Sequence, residues 1–169
     1  LDLELVARLA DADPGWQVVM VGPVVKIDEI ALPRRPNLHY LGQQPYALLP
    51  QLVAGWDVCL MPFALNESTE FISPTKTLEY MAAGKPVVST PVHDVKAMFG
   101  DIVAIATSAD LFIAACREAL AESPAQKAGR EQRMAVLHEI DARALHREVG
   151  VLARHREFDQ VGQRSGQLR

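Results

Sequence analysis

Residues 73–90 read SPTKTLEYMAAGKPVVST, and this stretch predicts one short helix that leads into one buried strand. Ser73 is suited to cap the helix, because its hydroxyl can accept a hydrogen bond from a first-turn N–H group. Pro74 fits the first helical position, where its missing N–H costs nothing. Gly84 fits the left-handed position that ends a helix, and Pro86 prevents the helix from continuing. The two valines that follow are β-branched and favour a strand.

The start of this helix carries the charge pattern of an anion site. The N–H groups of Thr75, Lys76 and Thr77 have no acceptor within the helix, and the helix dipole adds positive potential there. Lys76 adds a full positive charge to the same turn, so the pattern predicts a bound anion such as a phosphate group. Glu79 lies three residues further on the same face, where a carboxylate suits the two hydroxyls of a ribose. A salt bridge between Lys76 and Glu79 accounts for the same pair, and both interpretations stand at this point.

Composition predicts one ordinary globular domain of 169 residues, 49% hydrophobic and 22% charged. The net charge of −4 argues against a dedicated nucleic-acid-binding protein. Residues 1–123 hold 8 Lys/Arg and 15 Asp/Glu, whereas residues 124–169 hold 9 and 6. The basic C-terminal part is therefore either a solvated helical face or a contact surface for an acidic partner.

The cysteines and the hydropathy of the sequence indicate the cellular compartment that we expect for this protein. Cys59 and Cys116 lie in apolar contexts without metal-ligand spacing, so we expect two buried thiols in a reducing environment. No apolar run approaches the ~18 residues of a transmembrane helix. We expect a cytoplasmic protein, or one that is peripheral to the inner face of the membrane.

Strands and helices alternate along the chain. Short apolar runs predict strands, and helical spacing of apolar residues predicts the helices between them. The predicted strands are 16–22, 37–42, 57–62, 86–90 and 102–106. The predicted helices are 1–13, 45–55, 73–84, 108–122 and 124–158, the last with a break near Gly150 left open, and 92–99 is a short helix or a turn. This alternation predicts an α/β fold, a Rossmann-like doubly wound parallel sheet with helices on both faces and C-terminal helices. Residues 1–123 form the predicted domain, 124–158 a helical extension and 159–169 a frayed tail.

The predicted topology places the loops that matter at one edge. Ligands of open parallel sheets bind beyond the carboxyl ends of the strands, where the helix at 73–84 also begins. The loops at that edge follow the ends of the strands at Gly22, Gly42, Pro62, Thr90 and Ala106. A helix at residues 1–13 with no strand before it leaves the sheet short of one strand, and we expect a preceding strand and domain to be missing.

With these residues in place, the sequence resembles the C-terminal, donor-binding half of a GT-B fold glycosyltransferase of the retaining group 1 class. The most specific part is Ser-Pro-x-Lys-x-x-Glu-Tyr-Met-Ala-x-Gly-x-Pro-Val-Val at 73–88. Segments 16–23, 36–42 and 57–63 support it in the right order. The resemblance covers residues 1 to about 123, which it makes a nucleotide-sugar-binding domain, and extends to the C-terminal helices.

The resemblance implies roles for individual residues. In a Glu-x7-Glu pair of that family the second glutamate binds the donor ribose, and Glu79 matches it. The first glutamate would fall at Phe71, which is a departure from the pattern. Asn66, Glu67 and Glu70 are then the loop candidates for the hydroxyls of the donor sugar. The turn at Gly42 and Gln43 matches the backbone that contacts the base. The implied donor-binding residues are Gly42, Gln43, Asn66, Ser73, Thr75, Lys76, Thr77 and Glu79, of which Lys76 and Glu79 are the implied catalytic residues.

The implied chemistry is transfer of a sugar, with retention, from a UDP- or GDP-type nucleotide sugar to an acceptor. Fixed N–H dipoles and Lys76 would stabilise the departing pyrophosphate without a metal or another cofactor. The acceptor site would belong to the missing N-terminal domain. We therefore expect the isolated chain to be inactive, and its uncovered face to promote self-association.

Several polar residues outside this stretch have simpler explanations. Asp11-Ala12-Asp13 has the form of a metal-binding Asp-x-Asp, but it precedes Pro-Gly and predicts a turn. His138 and His146 lack the spacing of a zinc site and predict a solvated face. His39 lies in an apolar strand and predicts a satisfied core histidine. For His93 a surface loop position is the simpler interpretation.

Two arginines and two tryptophans also have structural interpretations. Arg34 and Arg35 predict a solvated crossover loop, although either could reach a phosphate. Trp16 and Trp56 each precede a strand and predict packing. Two other functions remain open: a nucleotide-sugar epimerase of the same fold, and a non-catalytic assembly domain in which the helix start is structural.

Overall fold

The buried apolar runs form the strands of one sheet. The computed structural model describes residues 1–25, 27–66, 69, 75–137 and 149–154. The strands are β1 (Trp16–Val21), β2 (Leu38–Tyr40), β3 (Val58–Met61), β4 (Val87–Ser89), β5 (Ala104–Ile105) and β6 (Val149–Arg154). The helices are α1 (Leu3–Ala12), α2 (Leu49–Ala54), α3 (Thr75–Ala82), α4 (His93–Phe99), α5 (Ala109–Leu120) and α6 (Pro124–Leu137). The five predicted strands are confirmed to within two residues at each end.

The sheet has the strand order β2-β1-β6-β3-β4-β5. β1 pairs with β2, β3 with β4, and β4 with β5, all in parallel. The chain proceeds from β1 outward to β2 on one side of the sheet. It then crosses to the other side of the sheet, where β3, β4 and β5 follow in order. This reversal is the topological switch point at which open α/β sheets bind ligands. The predicted parallel α/β architecture is confirmed.

Residues 149–154 correct one prediction. The sequence predicts a helix over 124–158 with a break near Gly150 left open, but Val149–Arg154 is a strand, and the described part of α6 is Pro124–Leu137. β6 lies between β1 and β3 and runs antiparallel to both. Six residues with two valines and a leucine are too short for periodicity to distinguish helix from strand, and pairing on both sides decides the outcome. His138, His146 and the tail at 159–169 lie outside the described residues.

Helices cover both faces of the sheet because successive apolar side chains of each strand point to opposite faces, so both faces need to be buried. On one face Val18, Val58 and Val88 pack with the buried side of α1 and α5. On the other face Val19 and Cys59 pack with residues of α2, α3, α4 and α6. The sheet is therefore doubly wound, with a core on each face.

The cysteines and tryptophans lie where the sequence predicts. Both thiols are free and buried, and burial raises the pKa of Cys116 to about 12. Desolvation likewise raises the pKa of Cys59 well above its usual range. Trp16 and Trp56 are buried in the two cores. Both cysteines therefore serve packing rather than reactivity.

Helix boundaries follow the predicted signals. Ser108 caps α5 by accepting the Leu111 N–H, and Pro50 lies in the first turn of α2. Gly84 follows α3 with φ of +67°, in the left-handed conformation that glycine adopts without steric cost. The buried face of α5 runs through Phe112 and Cys116, whereas Leu111 is 54% exposed. Within the described residues, none of the helices has the length and apolar content to cross a membrane.

Candidate functional site

The first turn of α3 is held against the carboxyl end of β3. The Thr77 hydroxyl is fully buried and donates to Met61 Sδ at 3.2 Å. Just beyond β3, the Phe63 N–H donates to Thr90 Oγ1 at 3.1 Å, and that hydroxyl donates to the Phe63 carbonyl at 2.9 Å. Thr90 directly follows β4, so these contacts tie the ends of two neighbouring strands together. α3 therefore begins at the carboxyl edge of the sheet, as the topology predicts.

The first turn of α3 has the electrostatics of an anion site. The amides of Thr75, Lys76 and Thr77 open the helix and have no i−4 acceptor within it. None of the first-turn residues is acidic, so only Lys76 adds charge to the positive end of the helix dipole. Three N–H donors and an ammonium group can together bind a phosphate group.

Glu79 lies one turn further along α3 and carries an unsatisfied oxygen. Its Oε1 is buried, and no donor among the described residues reaches it. Desolvation raises the pKa of this carboxyl group, and the positive charge of Lys76 partly offsets the effect. A buried carboxylate oxygen without a donor is costly, so its presence indicates a site for an incoming hydroxyl or N–H donor.

The burial of Glu79 predicts a pH-dependent cost of folding. Its folded-state pKa is raised above the unfolded value, so the folded state binds more protons and stability falls as pH rises through that window. We therefore expect Glu79→Gln to raise the free energy of unfolding of the ligand-free chain at pH 7, with little effect near pH 4. Urea denaturation at the two pH values measures the difference.

A matched control for this substitution is Glu118→Gln, which neutralises an exposed carboxylate on α5. It should leave the dependence of stability on pH as it is in the parent chain. A Glu79→Gln chain whose free energy of unfolding equals that of the parent at both pH values would show that Glu79 carries no burial cost.

Gly42 forms the second part of the site, at the end of β2. Its φ is +63°, and its carbonyl accepts the Gly22 N–H at 2.9 Å. Gly22 directly follows β1, so the two turns meet at the carboxyl edge. Gln43 is exposed, and the Gln44 amide closes the turn by donating to the Leu41 carbonyl at 2.7 Å. The turn thus presents hydrogen-bonded backbone at the carboxyl edge of the sheet, which a planar ring could contact.

The loop after β3 is described only in part. Asn66 is exposed, and its N–H donates to Thr69 Oγ1 at 2.9 Å, while that hydroxyl donates to the Ala64 carbonyl at 2.6 Å. This turn fixes Asn66 at the same edge of the sheet as the start of α3. The candidate residues Ser73, Glu67 and Glu70 lie outside the described residues, and so does Phe71, which stands in place of the first glutamate.

One predicted side chain does not face the site. The Thr77 hydroxyl is committed to Met61 in the core, so only the Thr77 backbone N–H is available at the start of α3. The sequence placed Thr90 at the ligand edge but gave its side chain no role, and in the structure that side chain joins the ends of β3 and β4 beneath the site. Its signal was its position, because a hydroxyl residue directly after a buried strand lies at the ligand edge.

The residues with simpler explanations behave accordingly. Asp13 accepts the Gly15 N–H at 2.8 Å in a turn, and Asp11 binds Arg35, which lowers the carboxyl pKa. His39 Nε2 and Gln17 Oε1 are 2.7 Å apart, and burial lowers the histidine pKa. His93 is exposed beside Asp94 as predicted, but it is the first residue of α4 and does not lie in a loop. Among the described residues no three His, Cys, Asp or Glu side chains form a group that could hold a metal ion.

The arginines of the 33–36 segment also have structural partners. Arg35 binds the Asp11 carboxylate through two of its nitrogens. The Arg34 guanidinium lies 5.3 Å from the centre of the Tyr40 ring, a cation–π distance. Both arginines are exposed and lie in the loop that precedes β2, in agreement with the predicted solvated crossover loop.

Comparison with known proteins identifies a sequence family. The family described as "Glycosyl transferases group 1" matches residues 3–124. Among curated proteins, the putative teichuronic acid biosynthesis glycosyltransferase TuaH of Bacillus subtilis is 27% identical over 155 residues, which is 88% of this chain and 39% of that protein. The chain thus spans about two fifths of the length of that relative.

A solved structure is also similar. It is the crystal structure of WaaG, described as a glycosyltransferase involved in lipopolysaccharide biosynthesis. The sequences are 24% identical, the TM-score is 0.48, and the match covers 64% of this chain and 28% of that one.

Proposed function

This chain belongs to the group 1 glycosyl transferase family, and we propose that it forms the donor-binding half of an enzyme that transfers a sugar from a nucleoside diphosphate sugar to an acceptor. The buried Oε1 of Glu79, which no donor among the described residues reaches, lies one turn from Lys76 and the first-turn amides of α3, and it carries the proposal. A salt bridge alone would not explain why one oxygen of this carboxylate is buried without a donor from the described part of the chain.

The proposed site binds each part of the donor with a different group. The amides of Thr75, Lys76 and Thr77 and the Lys76 ammonium bind the pyrophosphate. The ribose hydroxyls donate to Glu79 and satisfy Oε1. The backbone at Gly42 and Gln43 contacts the base, and Asn66 contacts the donor sugar.

In the proposed reaction, the bond between the anomeric carbon and the pyrophosphate oxygen breaks, and the nucleoside diphosphate leaves with the electron pair. The acceptor hydroxyl forms the new bond on the face that the leaving group vacates, so configuration is retained, and its proton goes to the departing phosphate. Positive charge fixed at the start of α3 stabilises the leaving group as its charge grows. No metal is needed for that role, because Lys76 and the helix dipole supply the charge.

The acceptor site lies in a second domain in this proposal, and the two domains close over the donor. The relative TuaH is named as a putative teichuronic acid biosynthesis glycosyltransferase, so we propose an acceptor of the bacterial polysaccharide class. The surroundings are cytoplasmic, where nucleotide sugars are made.

Isothermal titration of the chain with UDP and with GDP tests this proposal. We expect one of the two to bind with one site per chain, and Glu79→Ala to weaken that binding. Absence of binding by both nucleotides at millimolar concentration would overturn the donor-site assignment. Binding that survives Glu79→Ala unchanged would place the nucleotide elsewhere and favour an assembly role for this helix.

A further inference from the structure

Met61 is the point at which the ends of β3 and β4 meet the first turn of α3. It is the last residue of β3 and is 2% exposed. Its carbonyl accepts the N–H groups of Thr90 at 3.1 Å and Phe63 at 3.0 Å. Its sulfur accepts the Thr77 hydroxyl at 3.2 Å. Two strand ends and one helix start are therefore joined at a single buried residue.

Hydrogen bonds fix the backbone from which the Met61 side chain extends. Met61 stands in register with Ser89 of β4, and Thr90 follows directly. The Phe63 N–H also donates to Thr90 Oγ1 at 3.1 Å, and the Thr90 hydroxyl donates to the Phe63 carbonyl at 2.9 Å. The Met61 sulfur therefore approaches α3 from a defined position at the end of the sheet.

The Thr77 hydroxyl contributes direction rather than apolar burial. Thr77 is fully buried. A valine has nearly the same shape and would bury a methyl group there, without the cost of removing a hydroxyl from water. A thioether sulfur is only a weak acceptor, so this hydrogen bond adds little to stability. What it does fix is the rotation of the first turn of α3 about the helix axis, relative to β3.

This rotation determines where the first-turn amides point. Thr77 lies in the same turn as Thr75 and Lys76, which are partly exposed, whereas the Thr77 side chain faces the core. Donors stabilise an anion best when they are held within about 0.5 Å of the required position before the ligand arrives. Donors that become ordered only on binding lose part of the affinity. A buried contact on the core side of the turn can supply this order.

We propose that Thr77 and Met61 are positioning residues. The hydrogen bond from the Thr77 hydroxyl to the Met61 sulfur holds the first-turn amides of α3 in the orientation that binds the pyrophosphate. Both side chains act through the backbone of α3, and neither touches the donor. The identity of the anion rests on the proposed function, whereas the orientation of the turn by this bond does not.

Two substitutions of Thr77 distinguish positioning from packing. Thr77→Val keeps the shape and removes the hydroxyl, so we expect a urea midpoint at least equal to that of the parent. In titration calorimetry it should bind UDP or GDP, whichever binds the parent, about 10-fold more weakly, the order of one net hydrogen bond. Thr77→Ser keeps the hydroxyl and loses a buried methyl group, so its midpoint should fall while its affinity stays that of the parent. A packing role would make affinity follow stability instead.

Three further measurements restrict the effect to the pyrophosphate and to this bond. The corresponding nucleoside lacks phosphates, so Thr77→Val should not change its affinity. Met61→Leu removes the sulfur at nearly constant volume and should weaken nucleotide binding by the same factor as Thr77→Val. The double variant should lose no more than either single variant, because both remove one bond. The matched control is Met134→Leu, a buried methionine of the same core on α6, which should leave nucleotide affinity unchanged.

Backbone order parameters of the ligand-free chain test the same proposal without a nucleotide. We expect the amides of Thr75 and Lys76 to stay near the rigid value of about 0.85 in the parent and in Thr77→Ser, and to fall in Thr77→Val. If the parent binds neither nucleotide, the donor assignment fails and this measurement still decides the positioning role. Equal order parameters in the parent and in Thr77→Val would overturn the proposal, and so would an affinity that follows stability across the two Thr77 variants.

Discussion

Replacing Arg130 by alanine is expected to lower the free energy of unfolding by about 3–5 kcal/mol, as measured by urea denaturation. The Arg130 side chain is 6% exposed, and its guanidinium donates to both oxygens of Glu122 at 2.9 and 2.7 Å. A further N–H donates to the Gly84 carbonyl at 2.8 Å, at the end of α3. The substitution strips Glu122 of its partner while the carboxylate stays mostly buried.

Two controls distinguish the loss of this buried ion pair from the general effect of removing a positive charge. Arg133→Ala removes an exposed arginine from the same helix and should change stability little. Arg130→Met combined with Glu122→Leu replaces the whole pair by apolar groups and should cost less than Arg130→Ala alone. An Arg130→Ala chain as stable as Arg133→Ala would show that the pair does not hold α6 against the end of α3.

Replacing Lys76 by alanine is expected to weaken binding of the nucleoside diphosphate by roughly 10- to 100-fold. The estimate follows from the loss of a charge-assisted hydrogen bond to phosphate, worth about 1.5–3 kcal/mol. Titration calorimetry measures the effect. Because the contact is to the pyrophosphate, binding of the corresponding nucleoside without phosphates should be unaffected.

The matched control for this substitution is Lys127→Ala. Lys127 is a lysine of α6 with a 61% exposed side chain, 3.9 Å from Glu131. Its loss should leave nucleotide affinity unchanged at fixed salt. Equal losses in both variants would indicate a diffuse electrostatic effect rather than a contact at the start of α3.

Local sequence was sufficient for most of the fold. Runs such as 58–61, within the predicted strand 57–62, are apolar throughout and bounded by turn residues, so they predict buried strands without knowledge of their partners. Ser108 and Gly84 each have a strong local preference for the end of a helix, and both predictions are confirmed. The position and orientation of β6 were not predictable in this way, because they depend on pairing with β1 and β3, which are distant from it in sequence.

The candidate site also combines features that local sequence predicts with features that depend on tertiary packing. Lys76 and Glu79 could be identified because helix spacing places them on one face and topology places the helix start at the ligand edge. The burial of Glu79 Oε1 and the commitment of the Thr77 hydroxyl to Met61 could not, since both depend on packing between α3 and β3. Their assignment to a nucleotide sugar stays a prediction.

The most direct test of the donor-site assignment is an amide NMR titration of the chain with UDP and with GDP. If the donor site lies at the start of α3, one of the two nucleotides shifts the amide resonances of Thr75, Lys76, Thr77 and Gly42, while those of α5 on the opposite face of the sheet stay in place. No shift at α3 with either nucleotide at millimolar concentration, or shifts confined to α5, would contradict it.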